Sequence, residues 1–168
     1  IIEPDSRILA TILFNDIVDS TNLQGHYGDA VWRDKMQRFN EISQQQVSKF
    51  EGRFIKSMGD GILAVFSGPS RAIKCGYAIK EEIKTLGLYV RTGLHVGEIE
   101  RLNADISGIN VNAAARIQSI VNGDQILVSE VLKSLAFGSG ITFKNAGDYA
   151  LKGFEDKWRL AQVLSVEQ

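Results

Sequence analysis

One cysteine, Cys75, is too few for an intrachain disulfide or a cysteine-rich zinc site, and such sparing use fits a reducing compartment. Two prolines in 168 residues exclude a proline-rich linker or a collagen-like chain. No apolar run exceeds the five residues Ile62 to Phe66, well short of the roughly 20 that a bilayer-spanning helix needs. Neither sign of charge dominates: 19 Lys plus Arg face 20 Asp plus Glu, a net charge of −1. General electrostatic attraction to nucleic acid or an anionic membrane is therefore absent, and no basic stretch with interleaved aromatics appears. The two histidines, His26 and His95, are too separated to make a zinc case, and a lone histidine on a strand is ordinarily hydrogen-bonded structure.

What is present, 44% apolar and 23% charged residues, is the profile of one globular domain over residues 1–168. The start at Ile1-Ile2-Glu3 lacks methionine and a signal-peptide pattern, so the expectation is a soluble, cytoplasmic domain excised from a longer protein. Ile8 to Phe14 reads as a buried strand running into a turn at Asn15 to Thr21. From Asp29 as N-cap, Trp32, Met36, Phe39 and Ile42 recur at helical spacing. Phe54–Met58 and Ile62–Phe66 flank Gly59-Asp60-Gly61, a hairpin signal with Asp60 at its tip. A second helix follows Gly68-Pro69 and ends at Gly87. Leu88 to Val96 alternates as a strand, with Arg91 and His95 on its more polar face. Glu98 to Ser107 reads as a loop, Gly108 to Asn122 as a helix, and Ile126–Val128, Ile141–Phe143 and Trp158–Leu164 as strands, with Ser129 capping a short helix. The order predicts an α+β fold with helices covering one face of a mixed sheet.

Asp16 and Asp60 both stand at strand ends. Each alone is an ordinary turn residue. If the first strand lies beside the hairpin, however, the pair offers hard oxygen ligands suited to Mg²⁺ or Mn²⁺. Val18, Asp19, Ser20 and Thr21, at a turn and helix start, could offer backbone N–H groups to a phosphate. Asn112 and Arg116 lie four apart and so share one helix face.

These residues sit in motifs that resemble a known family. Ile12-Leu13-Phe14-Asn15-Asp16-Ile17-Val18-Asp19-Ser20-Thr21, Phe54-Ile55-Lys56-Ser57-Met58-Gly59-Asp60-Gly61, Val90-Arg91-Thr92-Gly93-Leu94-His95-Val96-Gly97-Glu98, Val111-Asn112-Ala113-Ala114-Ala115-Arg116-Ile117 and Leu151-Lys152-Gly153 resemble the catalytic domain of class III adenylyl and guanylyl cyclases. The likeness covers nearly the whole chain in the right order. A short Glu98 to Asp105 segment looks like the bacterial subgroup with an abbreviated dimerisation arm, often fused to regulatory or enzymatic modules.

The resemblance implies a ferredoxin-like α/β sandwich acting as a head-to-tail homodimer that turns ATP into cyclic AMP and pyrophosphate. It implies two divalent cations on Asp16 and Asp60, with the Ile17 carbonyl completing one shell. Arg91 and Lys152 match positions that contact the triphosphate, Asn112 matches one that meets the ribose, and Arg116 matches one that stabilises charge on the α-phosphate. Lys56 and Asp105 match the base-reading pair. An ammonium donates to adenine N1 and a carboxylate accepts from its amine, whereas guanine presents the reverse pattern. Rival readings are a guanylyl cyclase and a catalytically silent nucleotide-binding or dimerisation module; a pure binding module would need no Asn112–Arg116 pair. Two departures stand out: Asn15 where Thr or Ala is usual, and Asp19 where Gly is common, a carboxylate that must point away from phosphate, as it would in capping the helix. Because guanylyl cyclases typically carry Glu and Cys at the base-reading positions, Lys56→Glu combined with Asp105→Cys is expected to shift preference from ATP towards GTP. Side-by-side turnover of the two nucleotides measures it.

Overall fold

A computed structural model describes residues 6–167. In chain order the elements are β1 (Arg7–Ile17), α1 (Ser20–Tyr27), α2 (Asp29–Lys49), β2 (Arg53–Ser57), β3 (Gly61–Phe66), α3 (Pro69–Glu82), β4 (Val90–Leu102), β5 (Asp105–Ser107), α4 (Ile109–Ser119), β6 (Ile126–Ser129), α5 (Glu130–Leu135), β7 (Ile141–Ala150) and β8 (Lys157–Val166). A 3₁₀ turn, Ile83–Leu86, extends α3 and closes at Gly87 with φ 73°. The strands form one sheet in the order β2-β3-β1-β4-β6-β8-β7, with β5 paired to β4. Among the described residues only the β4–β6 pairing is parallel, so the fold is α+β with a mixed, mostly antiparallel sheet. Among the described residues no helix is long and apolar enough to cross a membrane.

The sheet has helices on both faces, not one as the alternation suggested. Residues such as Leu13, Ile62, Ala64, Val90, Leu94 and Val128 bury one face beneath α2, α3 and α5, whose Phe39, Ile42, Ile73, Ile79 and Leu132 complete that core. The opposite face, with Ala10, Ile12, Phe14, Leu63 and Val65, packs on Val111 and Ala114 of α4. A third cluster, Ile117, Val121, Leu127, Leu151 and Leu160, extends this second layer to the connection between β7 and β8. The sequence pattern located α4 but not its face, because β4 meets it through glycines, which carry no hydrophobic signal.

Other expectations shift locally. The segment Glu98 to Ser107 is not a loop: β4 continues to Leu102 and folds back onto β5, with Glu100 opposite Ser107 and Leu102 opposite Asp105. Polar side chains suit this hairpin because most of it is exposed. β1 continues through Asn15 and Asp16 to Ile17, and β7 and β8 pair over ten residues each. Gly28 is the N-cap of α2, with Asp29 its first residue. The α1–α2 junction needs φ 83°, which glycine adopts readily, and Asp29 then places its charge where the helix dipole favours it. Ser129 does cap α5, its Oγ accepting from the Leu132 N–H at 3.4 Å. Cys75 is fully buried and burial pushes its thiol up to about 12, so it is an inert core residue.

α4 lies on β4 at backbone distance. A Cβ at Gly93 would fall 2.4 Å from Gln118 N and 2.6 Å from its Cα. Gly93→Ala is therefore expected to destabilise the fold by about 2 kcal/mol or more. Gly25→Ala, with nothing within 4 Å of the new methyl inside α1, should be neutral or stabilising by up to about 1 kcal/mol. Urea unfolding midpoints of the two variants test the contrast.

Candidate functional site

The site begins with register. β1 lies between β3 and β4, and at its end Asp16 is opposite Gly61 on one side and Arg91 on the other. Asp60 therefore stands beside Ile17, whose N–H donates to the Asp60 carbonyl at 2.7 Å. The approach at Gly61 is tight: a Cβ there would lie 2.0 Å from the Asn15 carbonyl oxygen. Asn15, one of the two departures, is buried and its Oδ1 accepts the Ile62 N–H at 3.0 Å, tying β3 to β1 next to the carboxylates. β1 lies beside the hairpin, and the first-strand and hairpin-tip aspartates stand at the same edge of the sheet.

Arg91 supplies the local cation. Its Nε and Nη2 donate to the two oxygens of Asp16 at 2.9 and 2.8 Å. The hydrogen bond to Asp16, with the charges of Asp16 and Asp60, pushes the guanidinium pKa up even though partial burial opposes it. Arg91 therefore feels both carboxylates, and its fork geometry suits bidentate recognition. Asp60 Oδ2 accepts from Ser20 Oγ at 2.7 Å. That contact had no signal in the sequence beyond a small hydroxyl residue at a helix start. It gives Ser20 a side-chain role besides any backbone one.

The phosphate-facing segment is narrower than expected. The Val18 N–H donates to the Tyr89 carbonyl at 2.8 Å and is not free for an anion. Asp19 is the N-cap of α1 but its side chain caps no backbone N–H; its Oδ1 accepts instead from Asn22 Nδ2 at 2.8 Å. Its φ of 60° is left-handed, a conformation glycine adopts freely and Asp tolerates. Ser20 and Thr21 open the helix in its first turn, where N–H groups have no intrahelical acceptor. A groove of about 600 Å³ lies at this corner, lined by Ser20, Gln24, Arg33, Met58 and Asp60 among others.

Lys56 and Asp105, 49 residues apart, form an ion pair: Nζ donates to Oδ2 at 3.1 Å. The Ile106 N–H and then Lys56 hold the Asp105 carboxyl below its usual range. Lys56 is opposite Leu63, which packs under α4, so this pair shares the face that carries Asp16 and Arg91. Asn112 and Arg116 are exposed on α4 and make no side-chain hydrogen bond or ion pair among the described residues. Lys152 is exposed in the tight turn between β7 and β8, which Leu151 anchors beside Ile117 of α4. Two subsets are thus assembled within one chain, Asp16–Asp60–Arg91–Ser20 and Lys56–Asp105, whereas Asn112, Arg116 and Lys152 point to solvent.

Among the described residues no group of three or more His, Cys, Asp or Glu side chains forms a metal cage. Two adjacent carboxylates fit Mg²⁺ or Mn²⁺ better than a caged ion, since such ions keep waters and take substrate phosphates as ligands. His26 and His95 take no part.

Residues 3–164 match the family described as the adenylate and guanylate cyclase catalytic domain. An adenylate cyclase of Lachancea kluyveri is 30% identical over 70% of this chain, which covers 8% of that protein. The chain spans 17% to 36% of the length of bacterial relatives from Rhizobium meliloti and Mycobacterium bovis. The crystal structure of the adenylyl cyclase CyaB from P. aeruginosa superposes with a TM-score of 0.90 at 24% identity, covering 96% of each chain. An adenylate/guanylate cyclase/hydrolase from Silicibacter pomeroyi gives 0.81 at 25% identity, covering 96% of this chain and 99% of that one.

Ser20→Ala removes the donor that orients Asp60. It is expected to weaken Mn²⁺ binding by roughly tenfold, the usual scale for a residue supporting a metal ligand. Titration followed by the electron paramagnetic resonance of free Mn²⁺ measures this, and unchanged affinity would leave Ser20 with only a helix-starting role.

Proposed function

The chain belongs to the adenylate and guanylate cyclase catalytic-domain family, and on that premise we propose that it is an adenylyl cyclase, converting ATP to cyclic AMP and pyrophosphate as a head-to-tail homodimer. The observation that carries the reading is the Lys56–Asp105 pair, a donor and an acceptor held 3.1 Å apart on the face that also bears the carboxylates. Lys56 can donate to adenine N1 while Asp105 accepts from the 6-amino group; guanine would meet both groups with the wrong polarity.

In the reaction the ribose 3′-oxygen loses its proton and attacks the α-phosphorus, and the bond to pyrophosphate breaks. Asp16 and Asp60, with the Ile17 carbonyl, would hold two Mg²⁺ or Mn²⁺ ions. Bound there, the ions supply positive charge against the phosphates and a lower pKa for the attacking hydroxyl. Ser20 keeps the Asp60 carboxylate turned to the site. Arg91 and Lys152 grip the triphosphate, and the N–H groups of Ser20 and Thr21 add neutral donors. Asn112 orients the ribose, and Arg116 meets the negative charge that grows on the α-phosphate.

The exposure of Asn112 and Arg116 on the outer side of α4 suits groups that complete a site on a second copy. A twofold pair of chains would then build two sites, each with carboxylates from one subunit and the adenine-reading and transition-state groups from the other. Because the relatives are much longer, this domain would act within a larger protein, fused to a regulatory or enzymatic segment and drawing on the cytoplasmic ATP pool.

A Mn²⁺-dependent assay for cyclic AMP, with GTP run in parallel, tests the activity and its base preference. Asp16→Ala and Asn112→Ala should each lose about 100-fold or more in rate. Mixed in equal amounts they should recover about a quarter of the wild-type rate, since half the dimers then hold one intact site. No recovery on mixing rejects shared sites, and no cyclic AMP from the wild type rejects the enzyme.

A further inference from the structure

His95 lies midway between Gly93 and Gly97 on β4, and all three positions face α4. A Cβ at Gly97 would fall 2.3 Å from Asn110 Cγ, so the strand is bare where the first turn of the helix crosses it. The imidazole is only 5% exposed and both ring nitrogens are engaged. Nε2 is 2.9 Å from Asn110 Oδ1 and Nδ1 is 2.7 Å from Ser129 Oγ. The Asn110 amide is oriented by its other bond, Nδ2 donating to the Glu98 carbonyl at 2.9 Å, so Oδ1 faces the ring as an acceptor. The ring must therefore donate from Nε2. Ser129 Oγ accepts the Leu132 N–H, and toward a neutral ring it donates its own hydrogen to Nδ1. With the ring neutral, every bond in the chain from α5 through β4 to α4 then has one direction.

We propose that His95 is a positioning residue which, as a neutral imidazole carrying its hydrogen on Nε2, pins the first turn of α4 through Asn110 and so aims Asn112 and Arg116. The proposal rests on the roles given above to those two residues. α4 needs a tether: its N-cap is Gly108, at φ 123°, with no side-chain cap. Asn110 is two residues from Asn112, within the same turn. Burial pushes the His95 pKa down, which keeps the ring neutral in the physiological range. The charged groups sharing its cleft are Glu130 from α5 and Lys157 and Arg159 from β8; α4 presents the Asn110 amide. Arg159 is itself paired with Asp148 and Glu130. A proton added at Nδ1 would face Ser129 Oγ donor to donor and force the hydroxyl to turn away.

The test compares substitutions that keep or lose the Nε2 bond. Glutamine reaches the Nε2 position and can still donate to Asn110, whereas asparagine reaches only the Nδ1 position. His95→Gln should retain kcat within about threefold. His95→Asn and Asn110→Ala should each lose about tenfold in kcat, the worth of one net hydrogen bond, with KM within about twofold. Backbone amide exchange over residues 109–113 should quicken in the latter two alone. ¹⁵N shifts of the wild-type ring should report the Nε2–H neutral form at about pH 7, with its protonation displaced below the ordinary imidazole range. Equal kcat for His95→Gln and His95→Asn, or an Nδ1–H tautomer, overturns the proposal. Should the wild type make no cyclic nucleotide, the cyclase reading fails by itself, and the ring shifts and amide exchange still decide whether His95 pins the helix.

Discussion

The pairing of β1 with a strand on each side is the constraint from which the site follows. Asp16 lies at the end of β1, with Gly61 opposite on β3 and Arg91 opposite on β4. A slip of one residue in either ladder would turn Asp16 to the other face of the sheet, into the core beneath α2 and α3. Burial of Ile12 and Phe14 on one face and Leu13 and Ile17 on the other resists that slip. The hydrophobic alternation that stabilises the sheet therefore also places a carboxylate, its neighbour at the hairpin tip and an arginine within reach of one another. Bringing two acidic groups to adjacent strands has an electrostatic cost, and the bidentate Arg91 offsets it.

The two faces of the sheet divide the work. The one beneath α2, α3 and α5 is a continuous apolar layer and supplies most of the buried side chains. The other is thinner, covered by α4 alone near its centre, and it bears Asp16, Arg91 and Lys56 at its margins. Glycine makes that thin layer possible. Where β4 carries Gly93 and Gly97, α4 settles at backbone distance, and between them a buried histidine takes the place that an apolar residue would otherwise fill. A helix docked so closely has little freedom to roll, so its exposed Asn112 and Arg116 keep a fixed direction.

Much of this was legible in one dimension. The alternation of Ile8 to Phe14, the Asp-Gly hairpin and the stripe from Trp32 to Ile42 are local signals, because strand and helix periods and turn chemistry act over a few residues. The motif resemblance brought Lys56 and Asp105 together as partners, and they lie within hydrogen-bonding distance. Less visible were features that depend on what lies across the sheet. The hairpin of β4 with β5 hid behind polar residues because only Ile99 and Ile106 of it are buried, and two apolar residues in so exposed a stretch carry little alternation signal. The Val18 N–H looked free until Tyr89 arrived from a distant loop to accept it. Ser20 was legible only as a backbone donor at a helix start; its side-chain contact needed Asp60 beside it.

From the order of residues alone came most of the element types, though not the β4–β5 hairpin, with the family, the identity of the acidic, basic and amide groups, and their allotment to strand ends and helix faces, since each depends on neighbours in sequence. Tertiary structure decided which groups touch: Asp16 with Arg91, Ser20 with Asp60, Lys56 with Asp105, and His95 with Asn110 and Ser129. It also decided that a helix covers each face of the sheet. These are contacts across tens of residues, set by strand register and by how closely a helix can approach a glycine, and no local periodicity encodes a distance between separate elements.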